Sequence, residues 1–598
     1  MDRFQEKVSF IWSIADLLRG DYKASEYGKI ILPFTLLVRL DGLKNTSGFK
    51  IDARRPAQLA RDLKQHMRGL HADARAVFDC FRFNEQIDRL AKSGLLAHIV
   101  LRFGEIDLRP QSVSNREMGY VFEELIRKFS EQSGETAGEH FTPREVIRLM
   151  VHLVFDEGFE GVKTLYDPAC GTGGMLSVAE EYLTERNPRA RLEICGQELN
   201  PESYAVCQAD AVLKGHPANC IAAGNTFVRD AFAGRRFDYM LCNPPFGVEW
   251  KKSEKQIREE HRRRGFAGRF GAGLPRVSDG ALLFLQHMLS KMNSSGSRIG
   301  VIFNGSPLFT GDAGSGESNI RQWILENDWL EAIVALPDQL FYNTGLATYI
   351  WILTNRKTPA RRGKVQLINA VSFCSKMHRS LGHKRNQMTP AHIDQVCEIH
   401  RRFVDEGFSK ILGVSDFGYR SITIERPLRL NFQFSPRRLE KVQAKFSAEI
   451  MEILDGLNAR AIYRDQRACE SVLDQAFCTA GKKLGRTLRR KIREVLGEQD
   501  DRAEIYRDAK GRPVPDPDLR DSENIPLDLD VHAWFRDQVL PHAPDAWIDE
   551  ARTKTGYAIP FARHFFEPEP MRPLADIDRE ITELECQAQS LLRALREP

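Results

Sequence analysis

Tyr166-Asp167-Pro168-Ala169-Cys170-Gly171-Thr172-Gly173-Gly174-Met175 follows a short apolar run, Thr164-Leu165-Tyr166, and leads into residues at helical spacing. Gly171, Gly173 and Gly174 let the backbone turn tightly and let a ligand come close. A strand, a glycine-rich turn and a helix, in that order, predict a doubly wound α/β unit. In such units the turn holds a nucleotide-like ligand at the carboxyl end of the strand. The spacing is GxGG rather than GxGxxG, so a pyrophosphate is not the obvious ligand. A lone glycine turn is as readily structural as functional, and its surroundings decide.

Those surroundings repeat the alternation. Short runs rich in β-formers recur at Leu192-Glu193-Ile194-Cys195, Tyr239-Met240-Leu241-Cys242, Arg298 to Phe303, Ala332 to Ala335 and Thr348 to Leu353, with a helix expected over Gly280 to Met292. Strands alternating with helices imply a largely parallel sheet covered on both faces. Residues 1 to about 130 read as helical, from the periodicity of Phe10 to Leu18, the run from Ile30 and the amphipathic stretch Met118 to Phe129. Ser130 to Gly138 is polar and marks a boundary. After about 410 the strand signal fades and the remainder reads as mostly helical, broken at Arg512-Pro513-Val514-Pro515-Asp516-Pro517. At the end, Ile577, Ile581, Leu584, Ala588, Leu591 and Leu595 alternate steps of four and three, a coiled-coil-like seam. It suits a helix packed on its own domain or one that docks a partner.

The 598 residues are too many for one ordinary domain, and 42% apolar with 28% charged residues is a globular composition. A formal charge of +4 announces no particular partner by itself. The 11 cysteines form no CxxC pair and no Cys/His spacing of a zinc site, so no metal is expected and a reducing cytoplasm fits. The charged start Met1-Asp2-Arg3-Phe4 is not a signal peptide, and no stretch approaches the roughly 20 apolar residues of a membrane span. The expectation is a soluble, cytoplasmic protein.

The chemistry sits at two strand ends. Asp167 offers an acceptor for a cationic amino group, and Glu198, ending the strand Leu192 to Cys195, is placed to accept from both hydroxyls of a ribose. A cofactor with an amino acid at one end and a ribose in the middle is S-adenosylmethionine. Tyr239 to Cys242 then runs directly into Asn243-Pro244-Pro245-Phe246. Residues before proline are pushed to extended backbone, so the loop leaves the sheet stiff. An adenine amino nitrogen is a poor nucleophile because its lone pair is conjugated with the ring. The side-chain oxygen of Asn243 and the carbonyl of Pro244 can take one N–H each and turn that lone pair toward a sulfonium methyl. Such catalysis needs positioning and oriented dipoles rather than a strong base. Phe246 offers a face on which a base rotated out of the duplex can stack.

Asp167-Pro-Ala-Cys-Gly-Thr-Gly-Gly174 together with Asn243-Pro-Pro-Phe246 resembles the N6-adenine amino-methyltransferases. Within them the chain is most similar to the modification (M) subunit of type I restriction-modification systems. Gly138-Glu139-His140-Phe141-Thr142-Pro143-Arg144, Ile11 to Gly20 and Val277 to Leu285 carry the narrower likeness. The resemblance implies a Rossmann-like methyltransferase core, residues 131–410, between a helical N-terminal domain, 1–130, and a mostly helical C-terminal region, 411–598, for partner docking. It implies that Asn243, Pro244, Pro245 and Phe246 are catalytic. Glu139, His140, Phe141, Thr142, Pro143, Arg144, Asp167, Gly171, Thr172, Gly173, Gly174 and Glu198 would hold S-adenosylmethionine. His140 stands where the family more often has an aromatic.

Asn225, ending the next expected strand, either borders the adenine ring or is a turn asparagine. Lys251 and Lys252, with Lys255, Arg258, Arg262, Arg263, Arg264 and Arg269, follow the catalytic loop closely enough to meet DNA phosphates, although Glu254, Glu259 and Glu260 interleave. Lys482, Lys483, Arg486, Arg489, Arg490, Lys491 and Arg493 form a second basic cluster that reads as a solvated face or partner surface. No segment looks like a separate domain for reading DNA sequence. The family assigns that task to a specificity (S) subunit clamped by two M subunits, with a restriction (R) subunit as an optional further member. The lack of GxxxxGK[ST] excludes the motor subunit. Two other readings stand beside adenine-specific, S-adenosylmethionine-dependent DNA methylation. A protein-glutamine N5-methyltransferase also needs Asn-Pro-Pro-aromatic, and a non-catalytic scaffold could bind the cofactor alone.

Overall fold

The computed structural model describes residues 2–44, 56–133, 142–155, 160–187, 189–214, 216–342, 344–381, 383–441, 443–508, 510–566 and 573–594. Helices Asp2–Leu18, Gly28–Lys44, Pro56–Arg68, Ala72–Cys80, Phe83–Lys92, Leu96–Gly104 and Asn115–Ser133, here α1 to α7, build the N-terminal part as expected. Val8, Ile11, Ile14 and Leu18 fall on one face of α1 by their spacing of three and four. They bury against Phe34, Phe83, Phe103 and Leu125 in one core. Ala205, Val206 and Ala209 join that core from α10 (Pro201–Leu213), so the helical part is seated on the α/β part.

The large sheet has nine strands among the described residues: β1 (Gly161–Asp167), β2 (Ala190–Glu198), β3 (Ile221–Ala223), β4 (Tyr239–Cys242), β5 (Arg298–Asn304), β6 (Leu330–Ala335), β7 (Thr348–Thr354), β8 (Lys364–Asn369) and, after a hairpin of β9 (Ser375–Leu381) with β10 (Lys384–Gln387), β11 (Ser409–Gly413). Their order is β11-β8-β6-β7-β5-β4-β1-β2-β3. Neighbours are parallel except around β7, which is antiparallel to β5 and β6, and at β11 on β8. All six strands anticipated from sequence are present. The last strand runs to Gly413, past the boundary drawn at 410.

Successive strand residues alternate between two cores. Leu165, Leu241 and Ile302 face one side with α8 (Arg144–Val154) and α9 (Gly174–Arg186). Tyr166, Met240, Cys242, Val301 and Phe303 face the other with α12 (Ala281–Leu289) and α14 (Gly316–Glu326). Because β1 pairs with β2 on one side and β4 on the other, the chain reverses direction of travel across the sheet at β1. A crevice at the carboxyl ends of β1 and β4 follows, the place where doubly wound sheets bind ligands.

The fading strand signal after 410 needs correction. Helix still outweighs strand there, but β12 (Gly418–Glu425) pairs with β16 (Asp521–Pro526), β17 (Trp547–Ile548) and β18 (Lys554–Tyr557) in a four-stranded sheet. A second sheet joins β13 (Leu430–Gln433), β14 (Ile462–Tyr463) and β15 (Gly497–Gln499). These strands are short, and β16 carries one buried residue, Ile525, among exposed polar ones, too little for an alternating pattern. Nor is this region separate from the core. Tyr557, Ile559 and Phe561 bury against the large sheet, and Arg321 of α14 donates to the Tyr557 carbonyl at 2.6 Å. The terminal helix α22 (Leu574–Ala594) leaves apolar side chains outward, with Leu574 77%, Ile581 49% and Leu584 63% exposed. Of its seam, Leu595 lies outside the described residues.

Candidate active site

Asp167 closes β1, and the turn behind it bends through left-handed backbone at Gly171 (φ 54°) and Gly173 (φ 86°) before α9 begins at Gly174. A Cβ on Gly173 would lie 2.8 Å from Cys207 Sγ, so the position excludes a side chain twice over. Cys170 Sγ packs 3.8 Å from the same thiol. Thr226 ties the turn to the segment after β3 by donating to the Pro168 carbonyl at 2.6 Å. From the end of β2, the Glu198 carboxylate accepts from the amides of Gly171 (2.8 Å) and Asn200 (2.6 Å). The glycine turn and the acidic residue expected from sequence are thus joined directly.

Asp167 is buried, accepts from the Ala169 amide at 3.0 Å and faces the Cys242 thiol. Burial pushes its carboxyl up to about 7, and the Glu198 charge adds to the rise. Such a group gains most from a cation brought against it.

Cys242 ends β4, so Asn243 follows one residue beyond the Asp167 contact. Its side chain is fixed at one end only. Nδ2 donates to Thr142 Oγ1 at 2.9 Å, whereas Oδ1 is shut from solvent and meets no donor among the described residues. Buried acceptors are nearly always paired, so an unpaired one directly after β4, at the carboxyl end of the sheet, has room for a donor from a ligand. Pro244 is buried, Pro245 half-buried, and Phe246 half-buried against the core on the α8 side.

Of the segment expected to hold a cofactor, Glu139, His140 and Phe141 lie outside the described residues. Thr142 accepts from Asn243, and Pro143 caps α8. The Arg144 guanidinium lies over the Tyr120 ring of α7 at 3.5 Å and pairs with Glu181 of α9 at 3.5 Å. Arg144 thereby fastens the helical part to the core. It still lines a small cleft with Gly119, Phe122, Thr172, Gly174 and Asp210.

Asn225 is a turn residue here. Its Oδ1 accepts from the amides of Phe227 (2.8 Å) and Val228 (3.3 Å), and Nδ2 donates to Ser253 Oγ at 3.1 Å. Lys251 and Lys252 are exposed on a short turn before α11 (Glu254–Arg264). Arg258 and Arg263 pair with Glu254 and Glu259 on the same helix. Arg269 does not join a phosphate-facing patch. It is half-buried in a bidentate pair with Glu260 and donates to the carbonyls of Thr226 (2.8 Å) and Phe227 (2.7 Å). Sequence spacing could not reveal this, because Glu260 stands nine residues away on a different element. The second basic cluster is also mostly satisfied internally, with Arg489, Arg493 and Lys482 on Asp474, Glu470 and Glu449.

Beneath the site, Tyr166 bonds the fully buried His287 at 3.0 Å, and His287 faces Arg269 and Lys291. Burial and those two cations hold its imidazole well below its ordinary value, hence neutral. Among the described residues no cluster of His, Cys, Asp and Glu could hold a metal, and no helix is long and apolar enough to cross a membrane.

The family model of N-6 DNA methylases matches residues 113–421, just over half the chain, and that of the HsdM N-terminal domain matches residues 7–148. A type I restriction enzyme methylase subunit, MjaIX, of Methanocaldococcus jannaschii is 26% identical over 372 residues, covering 60% of this chain and 64% of its own. The HindI methylase subunit of Haemophilus influenzae is 28% identical over 257 residues, 42% of this chain and 54% of its own. The chain thus spans between half and two thirds of these relatives. The crystal structure of a type I methyltransferase subunit from Streptococcus thermophilus shares the fold, with TM-score 0.55 and 21% identity over 69% of this chain and 97% of that one.

Proposed function

The chain belongs to the N-6 DNA methylase family, and from that premise we propose that it is the modification subunit of a type I restriction-modification complex, methylating N6 of a flipped adenine. The observation that carries this reading is the buried, unpartnered Oδ1 of Asn243 beside the crevice at β1. Adenine's amino group offers the donor this oxygen lacks. The Pro244 carbonyl takes the second N–H, and both oxygens favour the pyramidal nitrogen that forms as its lone pair leaves the ring. Phe246 lends its open face to the base.

S-adenosylmethionine suits the remaining groups and, when bound, would supply an electrophilic methyl on a sulfonium. Asp167 would take its ammonium, Glu198 its ribose hydroxyls, and the turn from Gly171 through Thr172 and Gly173 to Gly174 would let it approach the backbone. Glu139, His140, Phe141, Pro143 and Arg144 are the remaining candidates for its amino-acid end. Lys251, Lys252 and Lys255 are exposed and face DNA phosphates in this reading. Asn225 holds a turn that would border the substrate adenine. The specificity subunit and a second copy of this chain complete the assembly, with the exposed stripe of α22 as one docking element and a restriction subunit as an optional further member.

The test is transfer of radiolabelled methyl from S-adenosylmethionine, with the chain co-purified alongside its genomic neighbours and offered DNA or protein. Label on adenine N6 supports the proposal, and label on protein glutamine overturns it. Asn243→Ala should abolish transfer while the cofactor Kd stays within about twofold, since the truncated group acts on the transition state.

A further inference from the structure

The amide of Asn243 is nearly symmetric in shape, yet its two ends are opposite in function. Turned through half a revolution, it would set an NH2 against the substrate's NH2, donor against donor. Something must choose the end that faces the crevice, and proline-stiffened backbone on the far side of the residue cannot. Asn243 Nδ2 donates to Thr142 Oγ1 at 2.9 Å; with the hydroxyl proton turned to another acceptor, only this end of the amide finds a partner there. That bond occupies the nitrogen and leaves Oδ1 as the buried acceptor.

Thr142 suits the task for three reasons. Its β-branched side chain is stiff at χ1, so the hydroxyl stays where the backbone places it. That backbone is anchored: Pro143 caps α8, and its carbonyl accepts from the amides of Val146 (2.9 Å) and Ile147 (3.1 Å). The first turn of α8 is clamped in turn by Lys384 from the β9–β10 hairpin, which bonds the Glu145 carboxylate and the Leu340 carbonyl. The hydroxyl accepts from Asn243 with a lone pair, so its own proton is still available to a different acceptor.

We propose that Thr142 is a positioning residue for methyl transfer, holding the Asn243 amide in the one orientation that presents an oxygen to the substrate amino group. The proposal rests on the adenine methylation reading above. It differs from the expectation, drawn from sequence, that Thr142 serves the cofactor.

Three measurements on the full chain, co-purified with its genomic neighbours, decide it: kcat for DNA methylation, Kd for S-adenosylmethionine by calorimetry, and hydrogen exchange of the Asn243 side-chain amide under asparagine-selective 15N labelling. The Asn243 signal is assigned by its loss in Asn243→Ala. Thr142→Val keeps the shape and removes the acceptor. It should lower kcat by about tenfold to a hundredfold, as a misaimed reacting group does, leave Kd within about twofold, and speed exchange of the Asn243 amide. Thr142→Ser should recover most of both losses, which a merely structural role for the threonine methyl would not allow. A weaker Kd with kcat intact would make Thr142 a cofactor ligand and overturn the proposal. Unchanged amide exchange in Thr142→Val would overturn it as well. If the unaltered complex moves no methyl to adenine, the functional reading falls, while the exchange measurement still decides whether Thr142 orients the amide.

Discussion

Asp167 should make cofactor binding depend on pH in a window where few other carboxylates respond. The carboxyl is fully inside the protein, with the Ala169 amide and the Cys242 thiol as its partners and the Glu198 charge nearby, and burial pushes it up to about 7. A ligand ammonium binds the ionised form, so the apparent affinity scales with the ionised fraction. That fraction is about 3% at pH 5.5 and about half at pH 7.0, so the Kd for S-adenosylmethionine should weaken about 16-fold on going down from pH 7.0 to 5.5. The ligand's amino group, ordinarily titrating near pH 7.7–8.0, stays charged throughout. Cys170, through its contact with Cys207 and burial, and Cys242, through burial, stay neutral. Calorimetry in two buffers of different ionisation enthalpy should also register release of about half a proton at pH 7.0. Asp167→Asn should bind weakly and without this slope. A Kd that moves less than about twofold across the window, or weakens as pH rises, would refute the reasoning. In the unliganded protein, folded Asp167 keeps its proton to higher pH than the unfolded chain does. Its contribution to stability therefore falls as pH rises from about 4 to about 7.

Gly173→Ala forces a Cβ against Cys207 Sγ in left-handed backbone; it should destabilise the fold by about 1–3 kcal/mol, seen in chemical denaturation, with partial relief from Cys207→Ala. Replacing Lys251 and Lys252 by Ala should reduce the salt dependence of DNA binding by about two phosphate contacts without changing the sequence methylated, as measured by binding titrations at several salt concentrations. Arg269→Ala should instead lower the thermal midpoint, because it strands Glu260 in a half-buried site. Deleting residues 574–598 should change that midpoint little, since Leu574, Ile577, Ile581 and Leu584 of α22 are exposed, and, on the reading proposed above, should weaken co-purification with a specificity subunit.

Much of the site was legible because its chemistry is written in consecutive residues. Gly171 to Gly174 must turn, and Asn243 to Phe246 must leave a strand stiffly, whatever surrounds them. The strands of the large sheet were legible because burial on both faces makes them continuous apolar runs. What escaped depends on distant partners. Arg269 reads as one cation among eight until Glu260 is seen folded back upon it. Thr142 reads as part of a cofactor segment until Asn243, 101 residues later, is seen to bond it. The sheets after 410 escaped because strands of two to eight residues, each burying few side chains, leave no periodic trace.

The long excursion from Pro244 to Gly280 is not an appendage. Trp250, Ile257 and Phe270 within it form a small core with Phe227 and with Leu283 of α12, and Trp250 Nε1 donates to the Arg276 carbonyl at 2.9 Å. Grafting this insert from another enzyme would therefore transplant half of an interior. The donor loop would need side chains matching Phe227 and Leu283 in volume, and one that fitted only at its two ends would leave a void between the insert and α12.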